Sequence, residues 1–189
     1  MRPALFGGTF DPIHNAHLTV AREAADQFDL TRVLFVPAAH PPHKDDLAAA
    51  PYEDRYRMTE LACREDPRFV ASRLEAGNEK SYSILTIERV RAAAPDLETL
   101  YFLIGADAFA EIKSWFRWQD VLRLTDFIVV TRPGHVYEAP AEARVHRLDT
   151  PALPVSSSEI RRRIARGGIS EELPAAVSEY IAARRLYRS

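Results

Sequence analysis

Short apolar runs alternate with longer amphipathic stretches along the chain. PALFGG (3–8), TRVLFVPA (31–38), RFVASRLE (68–75), ETLYFLIGA (98–106), DFIVVTR (126–132) and ARVHRLD (143–149) read as strands. Between them, NAHLTVAREAADQF (15–28), YEDRYRMTELACRED (52–66) and SILTIERVRAAA (83–94) carry the apolar spacing of helices. DAFAEIKSWFRWQDVLRL (107–124) holds one or two more. SSSEIRRRIARGG (156–168) and LPAAVSEYIAARRLY (173–187) close the chain as helices, and the proline-rich AAHPPHKDDLAAAP (38–51) reads as a loop.

Strands separated by helices of this length imply crossover connections and a mostly parallel sheet. The expected fold is a Rossmann-like, doubly wound α/β domain with helices on both faces. It spans residues 1–189, and its last part, from about 156 to 189, forms a small helical cap. Ligands of such folds bind outside the carboxyl ends of the strands.

Composition narrows the picture only slightly. The chain has 189 residues, 47% of them hydrophobic and 28% charged, enough for a buried core. The net charge of −2 excludes a nucleic-acid surface built on bulk charge, but not a small anion held by a few cations. Cys63, the one cysteine, allows no intrachain disulfide and reads as a buried small side chain. The N-terminus carries no secretory pattern, and no run is long enough for a membrane span, so a cytoplasmic protein is expected.

The candidate chemistry sits in GGTFDPIHNAHL (7–18), where the first strand turns into the first helix. Gly7 and Gly8 permit a tight turn and close approach of a ligand to the backbone. The helix start adds free N–H groups and a positive dipole end, an anion site by construction. His14 and His17, three residues apart, can face the same ligand and donate to phosphate oxygens. A capped helix with surface histidines is the bland alternative. A zinc site from His14, His17, His40 and His43 is a weaker one, because the second pair lies in a loop and no cysteine or carboxylate completes it.

GGTFDPIHNAH resembles the signature of the nucleotidyltransferase superfamily with the (T/H)xGH motif. Further segments are similar to those of the bacterial nicotinate-nucleotide adenylyltransferase family: HPPHK (40–44), SYS (81–83), IGADAF (104–109), SWFRW (114–118), TRPG (131–134) and PVSSSEIRRRI (154–164). They follow the family's order. The chain departs from it at Ala16, where the family has glycine, and at Ser158 and Ser83, where it has threonine. Phe116 keeps a stacking ring at a position that also varies.

The resemblance implies adenylyl transfer from ATP to nicotinate mononucleotide, giving nicotinate adenine dinucleotide and pyrophosphate, with Mg²⁺ accompanying ATP. It implies that His14, His17 and Arg161 carry the catalysis. The ATP site would comprise Gly7, Gly8, Thr9, Phe10, His14, His17, Gly105, Asp107, Arg132, Ser156, Ser158 and Arg161. The mononucleotide would lie on Lys44, Tyr82, Ser83, Trp115 and Phe116, with backbone N–H groups near Ser83 and Trp115 meeting its carboxylate. Several of these have ordinary structural readings: Ser156 and Glu159 form a capping box, Asp107 caps a helix, Asp11 braces its turn, Arg161 belongs to a solvated basic face, and Trp115 and Trp118 pack in the core. Rivals in function are the same chemistry on nicotinamide mononucleotide or phosphopantetheine, and a nucleotide sensor without turnover, which only Ala16 invites. No nucleic acid or membrane partner is expected, and a homo-oligomer stays open.

Overall fold

The computed structural model describes residues 1–40, 50–77, 80–131, 134, 136–150, 155–168 and 170–188. Six strands form one parallel sheet: β1 (Pro3–Gly8), β2 (Arg32–Pro37), β3 (Phe69–Ala71), β4 (Tyr101–Gly105), β5 (Asp126–Thr131) and β6 (Val145–Asp149). Their order is β3-β2-β1-β4-β5-β6, the doubly wound arrangement. The helices are α1 (Asn15–Gln27), α2 (Tyr52–Cys63), α3 (Ser83–Ala93), α4 (Ala106–Ala110), α5 (Trp118–Leu124), α6 (Ser157–Ala165) and α7 (Ala175–Arg184).

Side chains alternate across the sheet because successive residues of a strand point to opposite faces. Ala4, Val33, Phe35, Tyr101, Leu103 and Ile128 pack on one face with α1, α2, α6 and α7. Leu5, Val36, Phe102, Ile104, Phe127 and Val129 pack on the other with α3, α4 and α5. The residues of α6 and α7 join the same core as α1 and α2: Ile160, Ile164, Val177 and Ile181 are all buried there.

The chain therefore changes face between β3 and β4, which sets the topological switch at β1 and β4. The register opens a crevice there. β1 pairs with β2 along its whole length, from Pro3 to Gly8, but with β4 only at Ala4 and Leu5. Beyond Leu5 the carboxyl ends of β1 and β4 are unpaired with each other, at the place where folds of this kind hold their ligands.

Three elements differ from the sequence reading. The strand expected over 68–75 is three residues long, Phe69–Ala71, at the edge of the sheet beside β2. The strand expected over 98–106 starts at Tyr101. The helical stretch 107–124 is broken into α4, a single 3₁₀ turn (Ile112–Ser114) and α5, the last break falling at Arg117, whose φ of 53° is left-handed.

Candidate active site

The turn after β1 is built around Phe10, which takes a left-handed φ of 48°. That conformation costs a residue with a Cβ about 1 kcal/mol, here offset by burying the ring. Phe10 is 3% exposed and packs against Phe35 and edge-on to Phe6 and His17. Its side chain is thus committed to the core. A methyl group on Gly8 would stand 3.0 Å from this ring, so a larger residue there would push the Phe10 ring by a few tenths of an ångström. A methyl on Gly7 would meet only the Phe102 ring, at 3.8 Å. The chain then passes a cis Asp11–Pro12 bond and reaches His14, the residue before α1.

His14 and His17 lie together. Their rings stack with centroids 3.7 Å apart. The His14 backbone N–H donates to His17 Nδ1 at 3.2 Å, which leaves Nε2 of a neutral His17 carrying the proton and able to donate. Burial lowers the His14 pKa to about 4, against the opposing charge of Glu172. Burial, then the neighbouring His14, holds His17 well below the usual histidine value. Both imidazoles are therefore neutral near pH 7. His14 is 5% exposed, and its Nδ1 is buried, with no hydrogen-bond partner within normal distance among the described residues. α1 has no acidic residue in its first turn to offset its positive end.

α6 is docked onto this turn. Arg161 Nη1 donates to the Asp11 carbonyl at 2.7 Å, and Nη2 to Ser158 Oγ at 3.4 Å. Ser157 Oγ donates to the Pro12 carbonyl at 2.9 Å. Ser156 caps the helix by accepting the Glu159 N–H at 3.2 Å, which is the N-cap half of the expected capping box. The tie to the histidine loop is Ser157 rather than its neighbours, a distinction that a run of three serines hides.

The loop also rests on a residue the sequence reading missed. Arg55, in α2, is 1% exposed. Its Nη1 donates to the carbonyls of Thr9 (2.7 Å) and Ala38 (2.8 Å), and its Nε to that of Ala50 (3.2 Å). One guanidinium thereby joins the exits of β1 and β2 to the start of α2. Burial works against its charge, while Asp11 and Tyr187 support it. Nothing in an amphipathic RYRMTELA segment separates this arginine from surface ones.

Across the crevice, Gly105 is exposed at the end of β4, and a methyl there would meet nothing within 4 Å. Asp107 is exposed in the first turn of α4. A cavity of about 250 Å³ lies beyond, lined by Tyr82, Ser83, Glu111, Trp115 and Phe116 among others. Tyr82 and Phe116 form a tilted ring pair at 4.7 Å, and Phe116 is 50% exposed, unusual for a phenylalanine. Trp115 stands edge-on to Phe102 at 5.9 Å, and its N–H is taken by the Ile112 carbonyl at 3.0 Å. Trp118 packs against the core. The start of α3, with Tyr82 as N-cap, has no side-chain cap. His40 bonds Ser81, tying the loop after β2 to this wall.

Lys44, Arg132 and His43 lie outside the described residues. Among the described residues no group of three or more His, Cys, Asp or Glu side chains could hold a metal ion. Cys63 is buried, and desolvation pushes its thiol up to about 12, which leaves it inert.

Residues 5–163 match the model of the cytidylyltransferase-like family. A relative from Solibacter usitatus, named a probable nicotinate-nucleotide adenylyltransferase, is 62% identical over 187 residues, covering 99% of this chain and 100% of that one. The chain belongs to the nicotinate-nucleotide adenylyltransferase family. A relative of the same name from Acidothermus cellulolyticus is 43% identical, over 99% and 94% of the two chains. Among solved structures, Plasmodium falciparum nicotinic acid mononucleotide adenylyltransferase complexed with NaAD matches with a TM-score of 0.81 at 20% identity, over 98% and 97% of the chains. That similarity shows a shared fold. Family membership agrees with the order of the short motifs along the chain.

Proposed function

We propose that the protein transfers the adenylyl group of ATP to nicotinate mononucleotide. A phosphate oxygen of the mononucleotide forms a bond to the α-phosphorus of ATP. The bond from that phosphorus to the bridging oxygen of the β-phosphate breaks, and pyrophosphate leaves with the electron pair. The products are nicotinate adenine dinucleotide and pyrophosphate. The attacking phosphate is already an anion near neutral pH, so the site needs positioning and charge stabilisation rather than a strong base.

The observation that carries this reading is the stacked, neutral His14–His17 pair at an open helix start, with Arg161 fixed beside the same loop. In this reading His17 donates from Nε2 to the phosphates of ATP, and His14 offers its own ring edge to them. Neutral donors are the appropriate choice, since they stabilise the charge that grows on the leaving oxygen without binding the ground state as a full cation would. Arg161 supplies the fixed positive charge to the β- and γ-phosphates, with Ser158 orienting it and Ser156 and Arg132 as further ATP contacts. Gly7, Gly8, Thr9 and Phe10 offer backbone to the triphosphate. Gly105 leaves room for adenosine, and Asp107 reaches its ribose.

The mononucleotide ring lies between Tyr82, Trp115 and Phe116, with its carboxylate toward the open start of α3 at Ser83 and its phosphate toward Lys44. Mg²⁺ would enter with ATP as part of that substrate and would supply charge neutralisation to the pyrophosphate, beside the positive charge of Arg161. The protein works in the cytoplasm, in keeping with helices none of which, among the described residues, is long and apolar enough to cross a membrane.

The test is acceptor choice. ATP and Mg²⁺ with nicotinate mononucleotide or nicotinamide mononucleotide, side by side, should give pyrophosphate and a dinucleotide of the expected mass, with kcat/KM favouring nicotinate by at least about tenfold, the scale of one charged hydrogen bond. Equal or reversed preference would reassign the acceptor. No product with either would reduce the protein to a nucleotide sensor.

A further inference from the structure

A site built for phosphate contains an anion of its own. Asp11 lies three residues before His14, and its Oδ2 is 3.9 Å from Arg161 Nη1. A carboxylate free to swing toward that guanidinium would compete with phosphate for it and would repel the triphosphate. The carboxylate is instead turned inward. It is 4% exposed, and its Oδ1 accepts the Ala50 N–H at 3.2 Å and the Tyr187 hydroxyl at 2.6 Å. Arg161 takes the Asp11 backbone carbonyl at 2.7 Å, while the carboxylate stands off at 3.9 Å, the outer edge of ion-pair range.

Tyr187 comes from the end of the chain, and its delivery is built into the fold. Buried Asp54, in α2, accepts from Tyr180 Oη (2.8 Å) and Arg184 Nε (3.2 Å), fastening the end of α7 to α2. The chain then turns through left-handed Arg185 (φ 54°) and Tyr187 (φ 61°) to bring the phenol under the histidine loop. Burial and the Asp11 carboxylate raise the phenol's pKa, so it stays a donor at any working pH.

We infer that Tyr187 is a positioning residue of the ATP site, whose hydroxyl holds the Asp11 carboxylate inward so that it does not close on Arg161 in competition with phosphate. This rests on the adenylyl-transfer reading. The two are separated by measuring ATP affinity by calorimetry alongside turnover. Tyr187→Phe keeps the ring and removes the hydroxyl. It should raise both Kd and KM for ATP about tenfold while leaving KM for nicotinate mononucleotide within about twofold, the loss expected when one charge-assisted hydrogen bond is removed. In an Asp11→Asn background the same change should have no further effect on ATP affinity, because no carboxylate remains to be restrained.

Unchanged ATP affinity in Tyr187→Phe would overturn the inference. So would an equal loss in both backgrounds, or parallel increases in both KM values, which mark loosened packing. Should Tyr187→Phe not fold, Asp11→Asn alone decides: ATP bound at least as tightly as by the wild type supports the inference, and weakening beyond about threefold contradicts it. A wild type that binds ATP yet releases no pyrophosphate would end the functional reading while still testing Tyr187.

Discussion

At the scale of single residues, two glycines at the switch point do different work. Gly8 is crowded by the protein itself, because a methyl there would press on the Phe10 ring at 3.0 Å. Gly8→Ala should cost about 1–3 kcal/mol of stability, the usual penalty for overpacking, and should disturb His17 through its edge contact with Phe10. Chemical denaturation reads the first effect and kcat the second. Gly105 is different, since nothing among the described residues would meet its methyl within 4 Å. Gly105→Ala should leave the melting temperature within about 2 °C of wild type and raise KM for ATP, by filling space meant for a ligand. A loss of stability without a change in KM would place the nucleotide elsewhere. Sequence alone showed that both glycines follow strands at their carboxyl ends, but only the fold distinguishes a glycine needed for packing from one leaving a pocket open.

At the scale of elements, α2 and α6 hold the loops that carry the chemistry. Arg55 spans three loop carbonyls from inside the protein. Arg55→Met keeps the length of the side chain and leaves those carbonyls unpaired. It should destabilise by roughly 3–5 kcal/mol, as loss of one partner in a buried charged network does, shown by a lower urea midpoint at unchanged slope. The elements themselves were largely legible. β1 matches its expected span, and α1, α2 and α3 fall within theirs. What escaped was tertiary. The amphipathic spacing of 107–124 runs through the turn at left-handed Arg117, so the break between α4 and α5 left no mark on the pattern. Three successive serines are equivalent by type, and only docking selects Ser157 to bond Pro12. Arg55 and Tyr187 act across 46 and 176 residues of sequence, beyond any local spacing rule.

At the scale of the whole molecule, the topology converts scattered motifs into one crevice. The change of face between β3 and β4 and the short pairing of β1 with β4 bring the histidine turn, Gly105 and the Tyr82–Phe116 wall to the same end of the sheet. Placing two neutral histidines in that crevice also makes global stability depend on pH. Their pKa values are lower in the folded protein than in the unfolded chain, so below about pH 6.5 the unfolded state binds more protons. Stability should be level above that pH and fall as pH drops toward 4, with His14 alone contributing on the order of 3 kcal/mol to the loss. His14→Gln should flatten much of the decline, as measured by denaturation at pH 7 and pH 5. The central claim remains that the paired imidazoles stabilise charge on the phosphates. It is tested most directly by pyrophosphate release from ATP, Mg²⁺ and nicotinate mononucleotide, comparing the wild type with His17→Ala at saturating substrates. A fall in kcat of about 10²–10³, with the variant still folded and still binding ATP, is the predicted result. Turnover of the variant at the wild-type rate would contradict it and move the chemistry away from the histidine turn.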